Sequence, residues 1–208
     1  DRLLASDAPP ATFWITNPDN TIRDNVAAGS AGFGFWCAFP ASPTGLSTGQ
    51  PDLPRTTPLR EFSGNVAHSN HNGGLFVDDG PLPDGTTEVT NYEPRAVPSD
   101  PNSAPVLADF TGFRAYKHYF RAVWLRGTYL RLSHALLADN AIGATFAAYE
   151  TSVTSSTFIG QSGAIAQLPS GSYLRGYEFY DGRVWADQVT FINYTAATTV
   201  PASALGYN

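Results

Sequence analysis

The sequence predicts an all-β protein, a parallel β-helix (solenoid) with two long loop excursions. Three observations lead there. First, three stretches resemble one another: Val66–Asp78 reads VAHSNHNGGLFVD, Phe113–Arg126 reads FRAYKHYFRAVWLR, and Tyr129–Tyr149 reads YLRLSHALLADNAIGATFAAY. In each, a strand carrying a basic residue or His leads to a polar corner, then to a small residue followed by large apolar ones. Such self-similarity marks a coil in which each turn buries its face only against its neighbours. Second, 14% charged and 13% aromatic residues, with 19 Gly and 16 Pro, suit a loop-rich β chain better than a helical bundle. Third, no window sustains a helical period with caps, and no apolar run is long enough to span a bilayer.

In chain order, Asp1 to Thr12 is a polar lead-in, and Phe13-Trp14-Ile15-Thr16 is the first strand. Asn17-Pro18-Asp19-Asn20 is a turn, because Pro presets φ and Asn and Asp side chains mimic turn hydrogen bonds. Asn25 to Ser30 continues the wall. Gly32-Phe33-Gly34-Phe35-Trp36 alternates Gly with aromatics, as expected where the backbone packs close to the next rung. Phe39 to Pro58 reads as one excursion and Gly80 to Pro105 as a second, with the Leu59–Asp79 rung between them. Val106 to Tyr149 holds two consecutive rungs, each a short strand, a corner and a second strand. Ser152 to Gly163 supplies one more strand. After a Gly/Ser/Pro loop, Tyr173 to Tyr194 makes a final rung, and Ser203 to Asn208 opens another strand. The expected domain organisation is therefore a single β-helix segment over 1–208.

The strings FWITNPDNTIRDNVAAGS, GFGFW, AHSNHNGGLFVD, WLRG, ADNAIGATFA and RGYEFYDG, in that order, resemble the β-helix region of the cell migration-inducing and hyaluronan-binding protein family. That family includes a transmembrane hyaluronidase-like branch, and fibrocystin-like proteins resemble the chain more distantly. The resemblance runs from about Phe13 to the end. Both excursions diverge from it, and Cys37 stands where the family pattern has Tyr. It implies a right-handed parallel β-helix, an extracellular or cell-surface setting, and a link to hyaluronan.

The net charge of -6 argues against nucleic acid and against an anionic membrane surface as general partners. Any membrane attachment would lie outside this segment. The lone Cys37 forms no internal disulfide, which fits the cytosol or an extracellular solenoid stabilised by its stacked core. The chain contains no Met and so reads as a processed product or a fragment of a larger extracellular protein. Asn193-Tyr194-Thr195 is a glycosylation sequon, consistent with a glycoprotein.

Chemistry concentrates in three places. From Phe110 to Ala138 there is no acidic residue, while Arg114, Lys117, Arg121, Arg126 and Arg131 fall inside it, interleaved with aromatics including Trp124. This set fits a ledge for an anionic sugar, guanidinium to carboxylate and ring to ring, or a row of solvated outward positions. Arg175 and Tyr180 extend the candidate ligand set; Arg175 also has Glu178 as a possible partner on the wall, and Asp181-Gly182 is a turn signal. His68, His71, Asp78 and Asp79 form the third cluster, either an acid/base or metal site or a structural His with a turn-forming Asp pair.

A cleaving enzyme needs paired carboxylates roughly 5–10 Å apart, or a base with a cation. The candidates are Asp78, Asp79, Asp139, Asp181, His68 and His134, with Asp109, if stacking at about 4.8 Å per rung aligns them on one face. No metal ligand set or cofactor is expected, and calcium has no motif behind it. Corner residues Asn25, Asn70 and Asn140 suit a rung-to-rung amide ladder. Three functions follow: a module binding an acidic polysaccharide such as hyaluronan, a polysaccharide hydrolase or lyase, and a structural stalk packed on neighbouring domains.

Overall fold

The computed structural model describes residues 8–162, 173–196 and 200–207. The chain winds as a parallel β-helix whose rungs each contribute three strands. The first rung is β1 (Ala11–Ile15), β2 (Thr21–Arg23) and β3 (Val26–Ala28). The second is β4 (Phe33–Cys37), β5 (Glu61–Ser63) and β6 (Val66–His68). The third is β7 (Gly73–Val77), a small hairpin of β8 (Gly80–Pro81) and β9 (Thr87–Glu88), then β10 (Ala108–Thr111) and β11 (Arg114–Tyr116). β12 (Arg121–Thr128), β13 (Leu130–Ser133) and β14 (Leu136–Ala138) form the fourth rung. The fifth is β15 (Ile142–Tyr149), β16 (Thr151–Thr154) and β17 (Thr157–Ile159), and the sixth is β18 (Leu174–Asp181), β19 (Val184–Asp187) and β20 (Thr190–Ile192). β21 (Ala202–Tyr207) follows.

Three sheets run along the axis. Sheet A has seven strands in the order β1-β4-β7-β12-β15-β18-β21, while sheets B and C take the second and third strand of each rung, six apiece. The two-strand rung expected from sequence is thereby corrected. A short corner hides between β13 and β14, because His134-Ala135 breaks the strand in only two residues. The same correction divides the single strand expected within Ser152–Gly163 into β16 and β17. The Gly/Ser/Pro loop that was expected to follow lies outside the described residues.

Stacking puts like beside like. Phe35, Leu75, Val123, Ala144 and Tyr177 share one inward register of sheet A. Phe62, Phe110, Leu132 and Val153 share one in sheet B, and Ala67, Ala115, Leu137 and Phe158 one in sheet C. All are buried, and they merge into one continuous core. Removing a single ring from such a column costs about 3–5 kcal/mol, because neighbours fixed above and below cannot collapse into the gap.

The corners are built by residues that accept left-handed backbone. Asp24, Gly64, Gly112, His134 and Ser155 hold positive φ between sheets B and C; Gly29, Ser69, Lys117 and Asp139 do so between C and A. Asn25 and Asn65 form one amide pair, Asn25 Nδ2 donating to Asn65 Oδ1 at 3.1 Å. Asn70, His118 and Asn140 line the other corner, so the expected ladder is split over two columns. Asn70 Oδ1 accepts the Ser30 amide at 2.9 Å, and Asn140 Oδ1 accepts that of His118 at 3.0 Å. Sheet A makes room for this column with glycines: a Cβ on Gly34 would stand 2.8 Å from Asn70 Nδ2, and one on Gly74 2.9 Å from His118 Nε2. The Gly/aromatic alternation of residues 32–36 has that physical cause.

Both excursions leave the end of sheet A, after β4 and after β7, and therefore stack on each other. The amides of Glu93 and Arg95 donate to the carbonyls of Arg55 and Thr56, each at 2.9 Å. Tyr92 then joins the wall. Its amide donates to Arg126 O at 3.2 Å and its carbonyl accepts the Thr128 amide at 2.9 Å. Gly127 is required there, since a Cβ would meet Tyr92 O at 2.1 Å.

Candidate functional site

The outer face of sheet A brings together five of the eight residues expected to bind ligand. Along β12, Val123 and Leu125 enter the core, so Trp124 and Arg126 must point out, and Arg121 lies on the same outer face. Parallel register then aligns Trp14, Trp36, Phe76, Trp124, Thr145 and Glu178 in one outward column. Beside it, Phe33, Gly73, Arg121, Ile142 and Arg175 form a second. Over the four strand steps from β4 to β18, at about 4.8 Å each, the strip runs on the order of 20 Å along the axis.

The rings of this strip touch from rung to rung. Phe33 stacks on Phe76 with centroids 4.3 Å apart, Phe76 on Trp124 at 6.3 Å, and Tyr180 meets Trp124 edge-on at 5.4 Å. The guanidiniums lie among them. Arg121 sits 4.2 Å from the Phe120 centroid and 4.7 Å from that of Trp124; Arg126 lies 5.2 Å from Trp124; Arg175 lies 4.4 Å from Tyr173. Such contacts hold a long side chain flat and extended, with little rotamer freedom left to lose on binding. Tyr173, Tyr180 and Trp14 remain exposed at the margins.

Two buried carboxylates hold the arginines from beneath. Asp78 Oδ2 accepts from Arg126 Nε at 2.7 Å and Trp124 Nε1 at 2.9 Å, while its Oδ1 accepts the amides of Asp79 at 2.8 Å and Thr90 at 2.9 Å. Its backbone carbonyl accepts Trp36 Nε1 at 3.0 Å. Asp78 is thus a tether between sheet A and the second excursion. Glu178, read from sequence as a possible wall partner of Arg175, accepts from Arg175 and from Thr145 Oγ1 at 2.6 Å, with Arg121 at 3.6 Å. Rung register adds Thr145 from β15, beside β18, and Arg121 from β12, one strand further along.

The remaining candidates lie elsewhere, which corrects the expectation of a single Arg114–Arg131 wall. Arg114 projects from sheet C among Val26, Val66 and Leu136, and Arg131 from sheet B, paired with Asp109 at 2.7 Å. Lys117 occupies the left-handed corner after β11. The sequence showed a run of cations; three strands and two corners distribute it around the coil.

The carboxylate column is corrected likewise. Asp109 is on sheet B, and Asp139 is a buried corner residue bonded to Ser162. Only Asp78, Asp79 and Asp181 gather at one end of sheet A, around Arg126. Burial foremost, then the charge of Asp78, raises the Asp79 carboxyl to about 6, with Arg126 offsetting part of the rise. His134 is an exposed corner residue, and His68 stacks on Tyr116 at 4.9 Å on sheet C. Among the described residues, no three His, Cys, Asp or Glu side chains stand together in a way that could hold a metal ion.

The family model described as CEMIP beta-helix matches residues 3–75. Over 95% of its length the chain is 33% identical to a protein of Dictyostelium discoideum, covering 22% of that protein. Over the same share it is 32% identical to the cell migration-inducing and hyaluronan-binding protein of Mus musculus and 31% identical to the cell surface hyaluronidase CEMIP2 of Homo sapiens. It covers 18% and 17% of those two, so it spans about a fifth of the length of the relatives it matches.

Proposed function

The chain carries the β-helix of the cell migration-inducing and hyaluronan-binding protein family, and from that premise we propose that sheet A binds an acidic glycan such as hyaluronan. The observation that carries this reading is the outer strip itself. Arg121, Arg126 and Arg175 lie flat on Phe120, Trp124 and Tyr173, each also tied to Asp78 or Glu178. A uronate-bearing polymer repeats a carboxylate along a chain of apolar ring faces. A strip repeating guanidinium and aromatic ring from rung to rung matches that pattern, and Arg suits it better than Lys because its planar fork takes a carboxylate bidentately. The relatives' names add the choice of hyaluronan and the extracellular or cell-surface setting.

One observation favours cleavage as a second reading. Asp79, raised to about 6, is a carboxyl able to hold a proton close to neutrality, and the charge of Asp181 also reaches Arg126. Incubating the chain with hyaluronan of defined length distinguishes the two. Retention of unshortened polymer supports binding, shortened polymer supports cleavage, and neither result removes the sugar from sheet A altogether.

A further inference from the structure

We propose that a trough beside Arg126, at the edge where the chain leaves sheet A, seats an uncharged sugar. This face then selects a polymer whose acidic and neutral residues alternate over one that is acidic throughout. The inference rests on the glycan-binding role proposed for sheet A and adds which kind of acidic glycan it admits.

Strand register builds the trough. Tyr92 pairs in parallel with Gly127 and turns its ring into the core, so Asn91 and Glu93 face outward beside Arg126 and Thr128. On the other side of β12, Arg126 and Thr128 are in register with Ala147 and Tyr149, and Ala147 with Asp181. Small residues at Gly127, Ala147 and Ala148 leave a cavity of about 240 Å³ between these rims. Its floor is buried, whereas Asn91, Tyr149 and Asp181 are exposed. A hollow open to solvent therefore adjoins the guanidinium of Arg126.

Its lining is the reverse of the strip's. Among the described residues no cation lines it, while carboxylates stand at both ends, Glu93 from the second excursion and Asp181 from β18. Arg95 lies 3.5 Å from Glu93, so two carboxylates against one cation leave the trough net negative. A second uronate lowered into it would meet like charge. A neutral sugar meets acceptors for its hydroxyls in both carboxylates, and such hydrogen bonds are charge-assisted. Asn91 and Thr128 add an amide and a hydroxyl that can both donate and accept. Tyr149 adds a ring, steadied by the Arg183 guanidinium 5.2 Å from its centroid. Arg126 takes the carboxylate of one sugar, and the trough takes its uncharged neighbour.

The test titrates two probes of equal length into labelled protein, a hyaluronan tetrasaccharide and a β-linked tetramer of glucuronate. Affinities and the amide resonances of Gly127, Ala148 and Gly182 are followed in the parent and in the double variant Glu93→Gln, Asp181→Asn. The parent should prefer the alternating probe about fivefold or more, the weight of one net unit charge a few ångströms away in water. That probe should shift all three amides. The double variant should erase the preference or reverse it. No preference in the parent, or one that survives in the double variant, overturns the trough. Shifts confined to Trp124 and its sheet A neighbours overturn it too, and in each case the binding face stands. Failure of both probes to bind removes the glycan role and this selectivity together.

Discussion

Asp78, the residue after β7, and Arg126 on β12 meet across adjacent rungs at 2.7 Å, and the same carboxylate oxygen takes Trp124 Nε1. One side chain therefore orients both a cation and a ring of the strip and also fastens the second excursion through Thr90. Asp78→Ala leaves four donors, Arg126 Nε, Trp124 Nε1 and the amides of Asp79 and Thr90, without their acceptor. We expect a loss of about 3–5 kcal/mol in urea unfolding. Asp78→Asn, which retains one acceptor oxygen, should lose less.

Glycan affinity should follow the sheets and ignore the linear run of cations. Arg126→Ala or Arg175→Ala should each weaken hyaluronan binding about ten- to a hundredfold, the worth of one charge-assisted hydrogen bond. Arg114→Ala and Arg131→Ala, on sheets C and B, should bind as the parent does. Affinity should also fall steeply with added salt. Equal losses at all four positions in a fluorescence or calorimetric titration would point to diffuse charge attraction.

His118 makes the corner pH-sensitive. It is fully buried, its Nε2 has no hydrogen-bond partner, and burial pushes its pKa down to about 4. The unfolded chain takes up a proton as pH falls through the ordinary histidine range, while the folded chain resists until about 4, so stability drops across that window. His118→Asn continues the amide column between Asn70 and Asn140 and should remove about 2 kcal/mol of the loss between pH 7 and 4.5. Asp79 acts with opposite sign there, its raised pKa adding stability as pH falls. Because both proteins share it, the difference between them isolates His118.

The corner columns should depend on backbone conformation more than on side-chain chemistry. Lys117, at φ 59, should tolerate Gly with little change in thermal midpoint. Lys117→Val should cost about 1–2 kcal/mol, because a branched Cβ crowds the carbonyl in left-handed backbone.

Much of the coil was legible because stacking makes register repeat as composition. The corner Asn residues and the Gly32–Trp36 alternation mark rungs, since an amide column needs glycines facing it. The third strand was not legible, because the His134-Ala135 break looks like continuous strand when one left-handed residue makes the turn. The site was half legible for a related reason. Arg121, Trp124, Arg126, Arg175 and Tyr180 were found from their type, but Arg114, Lys117 and Arg131 were grouped with them by proximity in sequence, which a triangular coil undoes every few residues. Trp36 and Phe76 were missed, and Glu178 was read only as a partner of Arg175, because the neighbouring rungs give each its meaning.

The four tryptophans provide the most direct test of the central claim. Trp14, Trp36 and Trp124 share the outward column of sheet A, whereas Trp185 projects from sheet B. Hyaluronan oligosaccharide is titrated into labelled protein while the four indole N–H resonances are followed. Saturable shifts at Trp124 and its sheet A neighbours, with Trp185 unmoved, are the predicted result. A shift centred on Trp185, or none at any of the four, would contradict it.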